Sequence, residues 1–378
     1  MNLKILFIVN DVSFFLSHRL PIAKEARARG YSVYIAAMPS ALSAIISEND
    51  FEFCPLPLTR SGKNPFFEMR SFFSIFLLLR RLRPDILHLV TIKPVLYGAI
   101  AARLCSIYGV VCAVSGLGFV FTSKSKKNLP IRFLVSWLYR AAFGKENLRV
   151  IFQNPDDRDV LLSIRALNSS KVRMIRGSGV DLAMYQARPE PLGAPIVCFA
   201  ARLLRDKGVF EYVAAVRLLQ ERGVTASYRL VGDPDPGNPS SLTASDIETV
   251  RQEGLVEVIG FRDDIADIFA SSHLVVLPSY REGLPKVLVE AAACGRAVIT
   301  TDVPGCRDAI DPGETGLLVP MKSVTGLADA MQRLIEDGEL RRRMGAAGRM
   351  LAEREFAIEK VVQQHLDIYA ELEANIGK

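Results

Sequence analysis

The chain of 378 residues is 49% apolar and 23% charged, the proportions of a folded protein large enough for two cores and not of a disordered chain. No window holds eighteen uninterrupted apolar residues, which argues against a membrane span, and the six cysteines (54, 105, 112, 198, 294, 306) match no metal-ligand spacing. The net charge of +6 hides an asymmetry: residues 1–188 hold 26 Lys and Arg against 12 Asp and Glu, whereas residues 189–378 hold 21 against 29, giving +14 and −8.

The opening MNLKILFIVND has a short apolar core that runs into Asn10 and Asp11 without a small-residue cleavage site, so it reads as a buried strand and not as a signal peptide. Without an export signal the cysteines are expected to be reduced packing residues of a cytoplasmic protein. KILFIV, YSVYIAA, DILHLV and LRVIFQN are further strand candidates. Between them lie helix candidates, HRLPIAKEARARG closed by Gly30 and PVLYGAIAARLCSIYG closed by Gly109. Such alternation predicts a doubly wound parallel sheet. The Pro-rich, aperiodic DLAMYQARPEPLGAP places a linker near 184–194. The pattern then restarts with APIVCFAARLLRDKGV, ASYRLVGD, VEVIGF, LVVLPSY and RAVITTD, and FAIEKVVQQHLDIYAELEANI predicts a last helix. The expected organisation is a first domain over 1–188, a second over 189–355, and a helix over 356–378 that packs back toward the first. Two open α/β sheets in series place a ligand cleft at the carboxyl ends of their strands.

Two segments carry chemistry. In PSYREGLPKVLVEAAACGRAVITTD a strand ends in a loop with Glu282, Gly283 permits a close turn, and Pro285 suits the first position of a helix. The amides opening that helix near Leu284–Lys286, with the positive end of its dipole, form an anion site. Glu290 follows eight residues after Glu282, so that one carboxylate can face a sugar while the other reaches ribose hydroxyls. Either alone also reads as a loop charge or a helix-surface residue; the joint setting favours the site. In AARLLRDKGVFEYVAAV, Arg202 and Lys207 follow a strand, one a rigid fork and the other a mobile charge suited to a leaving diphosphate. A solvated basic loop is the alternative.

EGLPKVLVE, with its Glu-x7-Glu spacing, and ARLLRDKG resemble glycosyltransferase family 4, the retaining enzymes of the GT-B fold. VGD (231–233), GFRDDIADIFASSHLVVLPS (260–279) and DVPGCRDAIDPGETGLLVP (302–320) extend the resemblance along the second half. FFLSHRLPIAKEARARGYSV, PDILHLVTIKPVLYGAIAARL and VSGLGFVFT resemble the bacterial branch that acts on lipid-linked sugars in capsule, O-antigen and N-glycan assembly. The resemblance implies two Rossmann-like domains facing across a cleft, retention of anomeric configuration, a UDP-sugar donor and no required metal or other cofactor. It implies further that Arg202 and Lys207 bind the donor diphosphate and that Glu290 binds the ribose. Glu282 then contacts the transferred sugar, as nucleophile or as a binding group. The Gly283–Leu284–Pro285 backbone lies beside the phosphates, and Gly260–Arg262 meets the base. Asp233–Asp235 spells Asp-x-Asp, but its prolines argue for a turn and not a metal site.

Two departures bear on the acceptor side. Many relatives carry paired glycines in the first loop, where this chain has NDVSFFLSHR, and many carry a histidine after the fourth strand, where it has Ser115, Gly116 and Gly118. The glycines still permit close backbone approach to an acceptor. His18, at the start of the first helix, is the candidate acceptor-side base, with a structural histidine as the alternative. Arg19 and Lys93 are candidates for the acceptor's phosphate; a surface lysine before a helix is the alternative for Lys93.

A basic first half suits nucleic acid, an anionic membrane or a phosphorylated substrate. NPFFEMRSFFSIFLLLRRLR (64–83) and LPIRFLVSWLYRAAFGK (129–145), the latter just after KSKK (124–127), mix Phe, Leu and Trp with cations. They read as helices docked in an anionic membrane interface, or as ordinary core helices. No nucleic-acid module is present. The resulting expectation is a hexosyl- or N-acetylhexosaminyltransferase, peripheral on the inner face of the cytoplasmic membrane, acting on a polyprenyl-diphosphate-linked saccharide. A nucleotide-sugar epimerase and a non-catalytic membrane-associated subunit are the rival readings.

Overall fold

The computed structural model describes residues 2–58, 64–117 and 129–374. The chain forms two units, Met1–Ser178 with Glu359–Lys378, and Gly179–Ile358. In chain order the first contains β1 (Lys4–Asp11), α1 (Val12–His18), α2 (Leu20–Ala28), β2 (Ser32–Met38), α3 (Ser43–Glu48), β3 (Glu52–Pro55), α4 (Pro65–Leu82), β4 (Ile86–Val90), α5 (Ile92–Leu104), β5 (Gly109–Val114), α6 (Leu129–Phe143), β6 (Leu148–Phe152), α7 (Pro155–Ser163) and β7 (Val172–Met174). Its seven strands lie in the order β3-β2-β1-β4-β5-β6-β7, and every pairing is parallel. Helices cover both faces of such a sheet, which is why β4 and β5 are buried throughout and read as continuous apolar runs.

Local chemistry fixes the helix ends. Asn64 accepts a hydrogen bond from the Phe66 amide with Pro65 at the first helical position, and left-handed Arg83 ends α4. The helix expected over 18–30 is α2, and an additional helix, α1, precedes it. Asp11 caps α1 by accepting from the Phe14 amide at 2.8 Å. The chain then breaks at Arg19 (φ −130°, ψ −14°), because Pro21 has no N–H to continue the ladder and disfavours helical backbone before it. The second expected helix also ends early, at Leu104, and Gly109 opens β5 instead of closing the helix.

The second unit contains β8 (Ile196–Ala200), α8 (Val209–Glu221), β9 (Ser227–Val231), α9 (Ala244–Glu253), β10 (Glu257–Gly260), α10 (Ile265–Ala270), β11 (Leu274–Leu277), α11 (Lys286–Ala293), β12 (Ala297–Thr301), β13 (Gly316–Val319), α12 (Val324–Glu336) and α13 (Gly338–Leu351). Its six strands lie in the order β10-β9-β8-β11-β12-β13, again all parallel. The five strands expected from the sequence are present, and β13 from GETGLLVP is the sixth.

The chain enters the second unit earlier than its Pro-rich stretch indicates. The Val180 amide donates to the Phe356 carbonyl at 2.8 Å and the Ile358 amide to the Val180 carbonyl at 3.0 Å. Buried Arg296 donates to the carbonyls of Arg188 and Pro189 at 2.8 and 3.3 Å, which orders a segment that has no periodicity of its own. The last helix, α14 (Ile358–Glu373), belongs to the first unit from Glu359 on. There Glu371 binds Arg149 and Arg173 at 2.7 and 2.6 Å.

In each sheet the strand order reverses once, between β1 and β4 and between β8 and β11. Loops leaving the carboxyl ends at such a point diverge and open a crevice, which is where doubly wound sheets place their ligand sites.

Candidate active site

The loops at the second switch point carry three of the charged residues singled out in that half. Arg202 and Lys207 follow β8, and Glu282 follows β11. Gly208 (φ +78°) lets the first loop lie against the second: a Cβ there would stand 2.3 Å from the Pro278 carbonyl oxygen. Lys207 Nζ consequently forms an ion pair with Glu282 Oε1, and Ser279 Oγ donates to the same oxygen at 2.7 Å. Behind Glu282 stands the DVPG segment. The Glu282 amide donates to the Pro304 carbonyl at 3.1 Å, and a Cβ on Gly305 would stand 2.4 Å from the Glu282 carbonyl oxygen. Ser279, Pro304 and Gly305 are thus part of the site without having been singled out; the DVPG spelling was visible, its role as a prop was not.

Pro285 is the N-cap of α11 and not its first helical residue, with φ −73° and ψ 116°, and no side chain caps the helix. Its opening amides and dipole face the loop that carries Gly283 and half-buried-to-buried Leu284. Glu290, 7% exposed, accepts a hydrogen bond from the Tyr185 hydroxyl at 2.8 Å and pairs with Lys286 Nζ at 3.1 Å. Burial, and then the charge of Glu290, pushes the Tyr185 hydroxyl far above its ordinary pKa, so Tyr185 stays a donor. Tyr185 is a further unpredicted member, hidden in the segment read as linker. Arg202 is paired with Asp235. Arg262 forks onto Asp264 at 2.7 and 2.5 Å, while the Phe261 amide beside it donates to Asp233 at 3.2 Å.

In the first unit His18 ends α1, the helix after β1, and Lys93 lies in the first turn of α5, the helix after β4; neither is a simple surface group. His18 is the last residue of α1, with Nδ1 2.7 Å from Ser17 Oγ and its ring stacked on Phe14 at 4.2 Å. Arg19 is corrected as an acceptor contact: it is 2% exposed. Its guanidinium donates to the His18 carbonyl at 2.9 Å, and its electrostatic neighbours are His88, His365 and Tyr369. Burial lowers its pKa to about 10, which leaves it charged at neutral pH. Lys93 Nζ lies 2.6 Å from Glu68 Oε1, and the Tyr97 hydroxyl donates to the other oxygen of Glu68 at 2.7 Å. Lys93 is thus already ion-paired, and a phosphate there would share its ammonium with Glu68 or displace that carboxylate. Gly116 has φ +126° in the loop after β5, and Gly118 lies outside the described residues. Two residues not anticipated here are Asn10 and Thr91, at the ends of β1 and β4. Their Oδ1 and Oγ1 atoms are buried without a hydrogen-bond partner among the described residues, and Thr91 holds φ +75°.

The two Phe-rich segments divide by face. Phe66, Phe67, Met69, Phe73 and Leu77 of α4, and Phe133, Leu134 and Trp137 of α6, are exposed. Phe72 and Phe76 pack against the core instead, so the core-helix alternative holds for part of α4. Among the described residues no helix is long and apolar enough to cross a membrane, and no group of His, Cys, Asp or Glu is arranged to hold a metal ion.

Comparison with known proteins accords with this geometry. Residues 4–154 match the family described as glycosyl transferase 4-like, and residues 184–350 match glycosyl transferases group 1. The chain is 28% identical to N,N'-diacetylbacillosaminyl-diphospho-undecaprenol alpha-1,3-N-acetylgalactosaminyltransferase of Campylobacter jejuni, over 86% of this chain and 90% of that one. It is 30% identical to alpha-maltose-1-phosphate synthase of Mycolicibacterium smegmatis, over 63% of this chain and 67% of that one. Among solved structures, sucrose-phosphate synthase from Thermosynechococcus elongatus superposes with a TM-score of 0.83 at 22% identity, covering 99% of this chain and 100% of that one. With paired parallel-sheet units of the GT-B kind and both halves matched, the chain belongs to the group 1, family-4-like glycosyltransferases.

Proposed function

We propose that this glycosyltransferase moves a hexose or N-acetylhexosamine from a UDP-sugar to a saccharide carried on a polyprenyl diphosphate, with retention of anomeric configuration. The observation that carries the donor side is the meeting of Lys207, Glu282 and Ser279 at the switch point of the second sheet, beside Arg202 and the uncapped start of α11. The Campylobacter relative, whose name gives a diphospho-undecaprenol acceptor, supports the acceptor class.

In this reading Lys207, Arg202 and the α11 amides take the donor diphosphate, and Glu290 and Tyr185 hold the ribose. The bond between the anomeric carbon and the β-phosphate oxygen breaks, and its electron pair leaves on the diphosphate, where the cations stabilise it. The acceptor hydroxyl bonds to the same carbon from the same face and gives its proton to the departing phosphate oxygen. That balance needs no metal and no covalent intermediate. Glu282 contacts the transferred sugar once the diphosphate has drawn Lys207 from it. On the acceptor side His18 and Lys93 contribute, Lys93 by exchanging Glu68 for phosphate. The exposed aromatic faces of α4 and α6, with Arg70, Arg80, Arg81 and Arg140 also exposed, rest on an anionic leaflet at the cytoplasmic side and bring the protein to its lipid-borne acceptor.

The test is incubation with labelled UDP-sugars and membrane lipids, followed by solvent extraction and NMR of the new linkage. One sugar becomes lipid-extractable in the donor's anomeric configuration. Conversion of a UDP-sugar without any lipid acceptor would instead favour an epimerase, and an inverted linkage would remove the mechanism.

A further inference from the structure

The cations of the donor site are already paired with carboxylates of the second unit: Lys207 with Glu282, Lys286 with Glu290, Arg262 with Asp264 and Arg202 with Asp235. Of the four acids, Asp235 and Asp264 have no part in the reaction described above, and of these two Asp235 holds a cation assigned to the diphosphate and is itself held in a built setting. The Asp233–Leu242 segment is laced to the loop after β8. The Leu203 amide donates to the Asp233 carbonyl and the Leu242 amide to the Leu203 carbonyl, both at 2.9 Å, and the Arg205 amide to the Ser240 carbonyl at 2.8 Å. Ser240 Oγ donates to Asp206 at 2.6 Å. The Asp235 amide itself donates to Ser241 Oγ at 2.9 Å. This lacing fixes the Asp235 carboxylate against Arg202, whose side chain remains 46% exposed while that of Asp235 is 18% exposed. One arm of the guanidinium that suits a diphosphate, Nη1, is therefore held by a carboxylate oxygen.

We propose that Asp235 is the exchangeable counter-ion of the donor site. It holds Arg202 when no diphosphate is bound, yields it when one binds, and recaptures it as the product nucleotide leaves. The inference rests on the donor-site reading above. Because each binding event must break the Arg202–Asp235 pair, Asp235 weakens nucleoside diphosphate affinity and speeds product release. An exposed ion pair contributes little, so the effect is about two- to five-fold in dissociation constant.

The experiment is calorimetric titration of UDP, with GDP and ADP as alternative bases, into wild type, Asp235→Asn, Arg202→Met and the double variant. Asp235→Asn is expected to bind about two- to five-fold more tightly and to show a correspondingly lower inhibition constant for the product nucleotide. The gain disappears in the Arg202→Met background. Asp235→Ser, shorter and equally uncharged, gives the same gain. Unchanged or weaker binding by both Asp235 variants overturns the inference and makes Asp235 an orienting group for Arg202. Failure of the wild type to bind any of the three nucleotides overturns the donor-site reading, and the inference with it.

Discussion

Lys207 sits 75 positions before Glu282 in sequence, yet their side chains meet, and the proposed donor chemistry turns on that meeting. Replacing Lys207 with Ala removes a cation from the developing diphosphate and lowers kcat/KM by about 10²–10³-fold, with the fold intact by circular dichroism. Near-normal turnover would remove its role. Glu290→Gln keeps the size of a residue bonded to Tyr185 and Lys286 and weakens its hydrogen bonds; UDP-sugar KM rises by about ten-fold with kcat less affected, as steady-state kinetics will show. An unchanged KM would sink the ribose assignment. These residues were legible because a strand end, a glycine and a helix start lie within one short stretch and fix each other's geometry. What they bind in the ligand-free protein was not. Asp235 lies 33 positions from Arg202 and Glu68 lies 25 from Lys93, so nothing local links them. The burial of Arg19 was equally hidden, because its surroundings come partly from α14 at the other end of the chain.

At the scale of elements, the helical period of α4 separates two roles that composition merges. Ser71, Ile75, Leu78 and Leu79 are buried, while Phe66, Phe67, Phe73 and Leu77 face outward. Serine at those four outward positions should leave unfolding transitions unchanged and release the protein from vesicles containing anionic lipid, at least ten-fold by co-sedimentation. Serine at Phe72 and Phe76 should instead cost about 1–3 kcal/mol of stability, because these rings pack on the core. Undiminished vesicle binding by the outward variant would contradict the docking face. The strands were readable as apolar runs, since a parallel sheet is covered on both faces. β3, β5, β7 and β13 were not singled out, although β10 and β11, as short as β3 and β13, were, so length alone does not decide.

At the scale of the whole chain, the sequence divides its labour by charge. The basic +14 half carries the outward aromatic helices, and the −8 half carries the donor cations with a carboxylate on each. The second unit begins at Gly179, in a stretch that lacks periodicity and is ordered by bonds to Glu290 of α11, to Arg296, to Arg349 of α13 and to the segment before α14. The first unit depends on a buried cluster of Arg19, His88, His365 and Tyr369 that joins α14 to β4, with the imidazole rings 5.7 Å apart. Burial first, then the charge of Arg19, lowers the His365 pKa to about 3, and burial likewise holds His88 well below its ordinary value. The unfolded chain binds these protons near pH 6.5 and the folded one does not, so stability rises with pH. The contribution is complete above about pH 6.5 and is lost as the pH falls toward 3, by up to about 1.4 kcal/mol per pH unit for each histidine. Urea unfolding at pH 7, 6 and 5 should show that slope, and His365→Phe should flatten it; equal slopes would contradict the cluster's role.

The most direct test of the central claim is release of free UDP from a UDP-sugar panel, measured with and without a purified polyprenyl-diphosphate saccharide. The account predicts release with one sugar, only when the lipid acceptor is present, and its collapse in Lys207→Ala. Release that is independent of the acceptor, or persists undiminished in the variant, would contradict it.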